Sequence, residues 1–97
     1  MNQISIAEIK KILAGVDQAY IFGSYARNTQ DEYSDLDILI VKETSKEFFR
    51  RFQDFPDLYR LGVPIDLLIY TPDEFTQMKR SHNSLIEYIL QNGLKIS

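Results

Sequence analysis

The chain has no cysteine and a single histidine, His82, among its 97 residues. Without cysteine there is neither a disulfide framework nor a thiolate metal site. One isolated histidine builds no zinc centre, and the place of His82 before the last predicted helix reads as a surface or capping position. An excess of positive charge is also missing: eleven Lys and Arg against fourteen Asp and Glu leave a formal charge of −3. Direct nucleic-acid binding wants a cationic footprint for the phosphate backbone, so this balance argues against it. Arg50–Arg51, Arg60 and Lys79–Arg80 read instead as solvated helix faces. The start lacks the basic stretch and apolar core of a signal peptide, and no run approaches membrane-spanning length. A cytoplasmic chain without membrane contact is the expectation.

This length predicts one domain, residues 1–97, burying about two-thirds of its unfolded surface around one small core. Such a core can frame a small cleft but leaves little room for a large second substrate. An acceptor, if there is one, is expected on another molecule or another chain.

What is present reads as alternating helices and short strands. Ser5 followed by Glu8 is a capping box, and Ile6, Ile9, Ile12, Leu13 and Val16 recur at helical spacing, predicting a first helix that ends near Gly15. Ala19 to Phe22 is a short interior strand running into Gly23. A helical turn then begins at Ser24, and Asn28 to Ser34 is a polar loop. Asp35 to Val41 is a strand with Asp35, Asp37, Leu39 and Val41 on one side and Leu36, Ile38 and Ile40 on the other. Both sides become apolar along its length, so helices are expected on both faces. Thr44 and Glu47 predict a capped helix carrying Phe48, Phe49, Phe52 and Phe55, as core or as a partner-facing ridge, ended by Pro56. A third strand, Ile65 to Tyr70, sets Asp66, Leu68 and Tyr70 against Ile65, Leu67 and Ile69. Thr71-Pro72-Asp73-Glu74 opens another helix, Ser84 and Glu87 open the last, and Leu94 to Ile96 can add an edge strand. The fold class is α+β: a small mixed sheet flanked by helices.

Three carboxylates and one turn carry the chemistry. Residues two apart on a strand place their β-carbons roughly 6.5–7 Å apart. The carboxylates of Asp35 and Asp37 can therefore converge on one small ion. Crowded carboxylates repel one another unless a cation lies between them. An all-oxygen donor set points to Mg²⁺ or Mn²⁺ rather than zinc. Asp66 inside an apolar strand is costly unless it emerges at the sheet edge, pairs or binds metal, and a neighbouring strand would bring it towards the other two. Gly23 lets backbone approach a phosphate where a β-carbon would collide. Ser24 can cap its own helix or donate its hydroxyl to phosphate, beside exposed amides that favour an anion. Arg27, one turn later, can pin a triphosphate or sit on the surface. Asn28 tolerates the positive φ that ends the turn. Ser34 can hydrogen-bond a carboxylate or cap its loop, and Tyr25 can be packing. The set asks for a metal-bound nucleoside triphosphate. Asp35 and Asp37 would bridge two metals, and Asp66 would hold the catalytic one and orient an incoming hydroxyl.

Gly23-Ser24-Tyr25-Ala26-Arg27, Ser34-Asp35-Leu36-Asp37 and Ile65-Asp66-Leu67 resemble the signature of the DNA polymerase β-like nucleotidyltransferase superfamily, in its minimal nucleotidyltransferase branch. The resemblance spans nearly the whole chain and departs at Asn28, where the family pattern has glycine. It implies that Gly23 and Ser24 engage nucleotide phosphates and that Asp35, Asp37 and Asp66 bind divalent metal. It further implies a small helical toxin of the HEPN type as partner, silenced by transfer of AMP from ATP to one of its tyrosines. Two other readings stand beside this one. A nucleotidyltransferase acting on a small molecule would need added acceptor surface. A non-enzymatic antitoxin would neutralise its partner through an apolar surface at Phe48, Phe49, Phe52 or Tyr59. Nucleotide base preference and oligomeric state are left open by the residues.

Overall fold

The computed structural model describes residues 5–31 and 33–97; Glu32, in the predicted polar loop, lies outside the described residues. The order is α1 (Ile6–Ile12), β1 (Gln18–Phe22), α2 (Ser24–Arg27), β2 (Leu36–Val41), two 3₁₀ helices (Phe48–Asp54 and Pro56–Leu61), β3 (Ile65–Tyr70), α3 (Pro72–Arg80), α4 (Ser84–Asn92) and β4 (Leu94–Lys95). The sheet runs β3-β2-β1-β4. β1 pairs antiparallel with both β2 and β4, while β2 and β3 are parallel and joined through the 3₁₀ segment. The sheet is therefore mixed, with β1 and β2 inside and β3 on an edge.

Period-two alternation sorts the core as the sequence predicts. Leu36, Ile38 and Ile40 face Ile9, Leu13, Leu58 and Ile69 on one side of the sheet. Leu39 and Val41 face Phe75 of α3 and Ile86 and Ile89 of α4 on the other. Each such side chain contributes about 1.5–3 kcal/mol on burial, which is what holds helices against both faces. Asp37 and Asp66 lie on the α3–α4 side by the same alternation. Among the described residues no helix is long and apolar enough to cross a membrane.

Thr71 caps α3 with a full capping box to Glu74, and Pro72 occupies the first turn. The other caps differ from expectation. Ser5 accepts from the Ala7 amide, with no reciprocal bond from Glu8. α4 is capped by Asn83, whose Oδ1 accepts from the Ile86 amide at 3.1 Å, while Glu87 meets His82 instead. Asn caps at least as well as Ser, and one residue upstream it reaches a free first-turn amide. Thr44 accepts from the Lys46 amide, a local turn that leaves Glu47 extended, so no α-helix follows. Asp35 precedes β2, whose ladder opens with the Leu36 amide on Pro64 O at 2.8 Å.

The Phe48–Asp54 segment winds with three residues per turn, which stacks Phe48, Arg51 and Asp54 in one row. Phe48 and Arg51 of that row meet the free edge of β3. Arg51, expected on a solvated face, is instead 7% exposed. Its Nη1 donates to Ile69 O at 3.0 Å, Nε donates to Lys46 O at 2.9 Å, and the fork engages both Glu74 oxygens at 2.6 and 3.2 Å. An edge-strand carbonyl without a ladder partner needs a donor, and this guanidinium supplies it. Phe48 lies against Tyr70, ring centres 5.3 Å apart. Phe55 is buried, whereas Phe49 and Phe52 remain exposed, Phe52 edge-on to Tyr59. Pro56 separates the two 3₁₀ helices, as its missing donor requires.

Candidate active site

β1 ends at Phe22, and the next residue turns the chain. Gly23 has φ 73° and ψ −150°, a conformation open to residues without a β-carbon. It also occupies the cap position of α2, without a side-chain cap bond, so Ser24 is the first helical residue and does not cap its own helix. The amides of Ala26 and Arg27 reach Gly23 O, at 3.1 and 3.2 Å. Those of Ser24 and Tyr25 stand at the helix start, where no intrahelical acceptor exists. Asn28 ends the turn with φ 58°, as predicted from its tolerance of that region.

Sheet register brings the carboxylates to this turn. Asp37 lies opposite Phe22 on β1 and opposite Asp66 on β3. Its carboxylate rests against Gly23 so closely that a β-carbon built there would overlap Asp37 Oδ2. Asp37 is half-buried; Asp35 and Asp66 are exposed. Burial raises the Asp37 pKa above the ordinary 3.8, the charges of Asp66 and Asp35 raise it further, and a hydrogen bond shared with Asp66 adds to this. The Arg27 charge opposes the shift. Burial together with like charges makes the ionised form of Asp37 costly, a cost that a cation beside it would offset.

Among the described residues no three His, Cys, Asp or Glu side chains stand grouped as a metal-holding set. Asp37 and Asp66 adjoin, and Asp35 contributes its charge from the residue before β2. The adjoining pair fits a hard divalent cation: the donors are all oxygen, and their mutual repulsion is what such an ion relieves.

Ser34 takes the loop-capping alternative, accepting from the Asp31 amide at 3.0 Å and donating to Asp31 Oδ1 at 3.1 Å. Arg27 stays near the site, its Nη1 donating to the hydroxyl of Tyr88 at 2.9 Å. Tyr88 carries no signal of a site role in the sequence, since it lies 61 residues from Arg27 and on a separate helix. Tyr59 is a second unforeseen neighbour: burial raises its pKa and the Asp66 charge raises it further. A groove of about 430 Å³, lined by Tyr70, Asp73, Glu74, Gln77 and Met78, lies towards the far end of β3 from Asp66. A smaller cavity of about 200 Å³ opens between α1 and the residues around α2, including Tyr25 and Asn28. None of the three aspartates lines either one.

The model of the nucleotidyltransferase domain family matches residues 5–96. Three proteins of Methanocaldococcus jannaschii named for protein adenylyltransferase activity are similar in sequence. MJ0128 is 35% identical over 98 residues, covering 88% of this chain and 98% of that protein. MJ0435 is 39% identical, covering 69% and 80%, and MJ1305 is 38% identical, covering 78% and 54%. Among solved structures, a toxin–antitoxin complex with AMP-PNP superposes with a TM-score of 0.71 at 21% identity, over 97% of this chain and 73% of that one. A double aspartate-to-glutamate variant of the MntA-HpeT toxin–antitoxin gives 0.68 at 18% identity, with the same coverage. At that identity these two speak for the fold. With the Gly23–Ser24 turn and the strand-borne aspartates, the chain belongs to the nucleotidyltransferase domain family, as a minimal nucleotidyltransferase with the DNA polymerase β-like fold.

Proposed function

We propose that the chain transfers AMP from ATP to a hydroxyl, that of a tyrosine, on a partner toxin protein of the HEPN type, and so acts as its antitoxin. The observation that carries the chemistry is the register pairing of Asp37 with Asp66 beside the Gly23 turn. The amides of Ser24 and Tyr25, the Ser24 hydroxyl and the Arg27 guanidinium would receive the phosphates, holding the α-phosphorus towards the aspartates. Asp35, Asp37 and Asp66 would hold Mg²⁺ or Mn²⁺, which when bound neutralises phosphate charge and favours in-line displacement. Asp66, exposed at the start of β3, would orient the acceptor hydroxyl and take its proton. The acceptor oxygen bonds to the α-phosphorus, the bond to the bridging oxygen breaks, and pyrophosphate leaves.

The protein acceptor is supported by relatives named for protein adenylyltransferase activity and by the toxin–antitoxin complexes that share the fold. It is also supported by the surface. Phe49, Phe52 and Tyr59 are 66%, 45% and 46% exposed, and Phe52 lies edge-on to Tyr59, so these rings would offer aromatic anchors to a partner. The test is to incubate the chain with ATP, Mg²⁺ and its partner and weigh both proteins intact. The partner should gain about 329 Da for each AMP transferred by the displacement described. A toxin-neutralising complex without mass gain, unaffected by the Asp35→Asn/Asp37→Asn double substitution, would establish inhibition by binding instead.

A further inference from the structure

Arg27 closes the four-residue helix α2 and is tied to the opposite end of the chain. Its Nη1 donates to the Tyr88 hydroxyl at 2.9 Å. Tyr88 lies on α4, which is fixed in the core by Ile86 and Ile89, both fully buried. α2 has no buried residue of its own and ends at once in left-handed Asn28. The arginine is therefore exposed, on a short element, at a break in the chain. Such a side chain samples many rotamers and loses that freedom when it engages a ligand. A partner on a rigid helix that holds the guanidinium beforehand removes part of the cost. The direction of the bond also matters. A phenol that accepts from a guanidinium keeps its own proton, so the pair presents only donors to an incoming anion.

We propose that Tyr88 is a positioning residue for the nucleotide, its hydroxyl holding the Arg27 guanidinium beside the Gly23–Ser24 turn to meet the phosphates of a nucleoside triphosphate. The inference rests on the phosphate-binding reading of that turn given above. The Coulombic influence of Arg27 on Asp37 agrees with a guanidinium held at the site. Tyr88 itself lies outside the reacting atoms and acts through Arg27.

The test is a double-mutant cycle on the full chain with AMP-PNP and Mg²⁺ as the probe. Tyr88→Phe keeps the ring and removes the acceptor. It should raise the AMP-PNP dissociation constant about three- to tenfold, the scale of one typical hydrogen bond. In transfer assays with the partner chain, KM for ATP should rise while kcat changes by less than about twofold. In an Arg27→Ala background the Tyr88→Phe effect should vanish, because the coupling runs through the arginine. A merely structural tyrosine would weaken binding equally with or without Arg27, and that outcome overturns the proposal. So does unchanged AMP-PNP affinity in Tyr88→Phe, or in Arg27→Ala alone. Metal-dependent transfer is judged separately, by the turnover of Asp37→Asn.

Discussion

The carboxylate of Asp37 packs against the α-carbon of Gly23, so the turn that would receive phosphate and the strand that would hold metal touch at one point. Two segments far apart in chemistry thereby constrain each other. The aspartate fills the space a β-carbon would need, and the glycine backbone is held at φ 73°.

Gly23→Ala should accordingly damage the site more than the fold. A non-glycine residue in that conformation costs about 1–3 kcal/mol, and its methyl group must also displace Asp37. We expect a folded protein with a lowered melting temperature and a larger proportional loss of turnover. Wild-type turnover in this variant would break the link between the turn and the aspartate.

Asp37→Asn should stabilise the metal-free protein while disabling it. The folded state raises the Asp37 pKa above 3.8, first through burial and then through Asp66 and Asp35. Just above that value the folded protein holds a proton that the unfolded chain has released. Wild-type stability therefore falls as pH rises through the interval between the two pKa values. The asparagine variant lacks this penalty and should melt higher near neutral pH. The gap should narrow as the pH is lowered towards 3.8 and when Mg²⁺ is added to the wild type. Turnover should drop by about two orders of magnitude, the scale of losing one charge-stabilising group. Thermal melts across pH, with and without Mg²⁺, together with turnover measure both halves.

Glu74 should show the opposite pH sign. The Arg51 bond depresses its pKa below the ordinary 4.5, with the Thr71 amide adding to the effect. The stability it contributes is complete above 4.5 and is lost as pH falls through the depressed value. Glu74→Gln keeps a capping side chain but removes the charge, so its acid-side stability curve should be flatter. Because Glu74 is 43% exposed in its side chain, the loss near neutral pH should be only about 1 kcal/mol. Arg51→Met should cost more, about 1–3 kcal/mol, since it leaves the Ile69 carbonyl without its donor. Denaturant melts of the two variants rank them, and equal losses would contradict the edge-capping role of Arg51.

The exposed aromatics predict a separable defect. Phe49→Ser/Phe52→Ser should leave the fold and AMP-PNP binding intact, because neither ring is buried. It should weaken the complex with the proposed toxin partner by about 2 kcal/mol or more, as loss of aromatic anchors does. Calorimetric titration of the partner reads this directly, and unchanged partner affinity would place the docking surface elsewhere.

Local signals were readable where a single stretch of chain decides the outcome. Thr71-Pro72 with Glu74 makes a capping box from four consecutive residues, and it forms as read. Asn28 adopts the left-handed conformation its side chain tolerates. The alternation in β2 and β3 already divided the core into two faces, because side-chain direction along a strand has a fixed period. The signals failed where neighbouring side chains offer rival caps within the same turn. Thr44 turns onto Lys46 and Asn83 displaces Ser84 as cap.

The sequence by itself therefore determined the kinds of chemistry on offer: oxygen ligands without thiolates, a glycine that permits close approach, and strands apolar on both faces. Those properties belong to residue types and to spacings within one element. Tertiary structure alone decided which groups meet. Asp37 faces Asp66 because β2 and β3 are parallel neighbours in one register. Arg51 is buried because β3 is an edge strand whose Ile69 carbonyl lacks a ladder partner. Tyr88 reaches Arg27 because α4 and α2 end up beside each other. Each of these depends on strand order and helix docking, which arise from the packing of the whole core and are encoded at no single position.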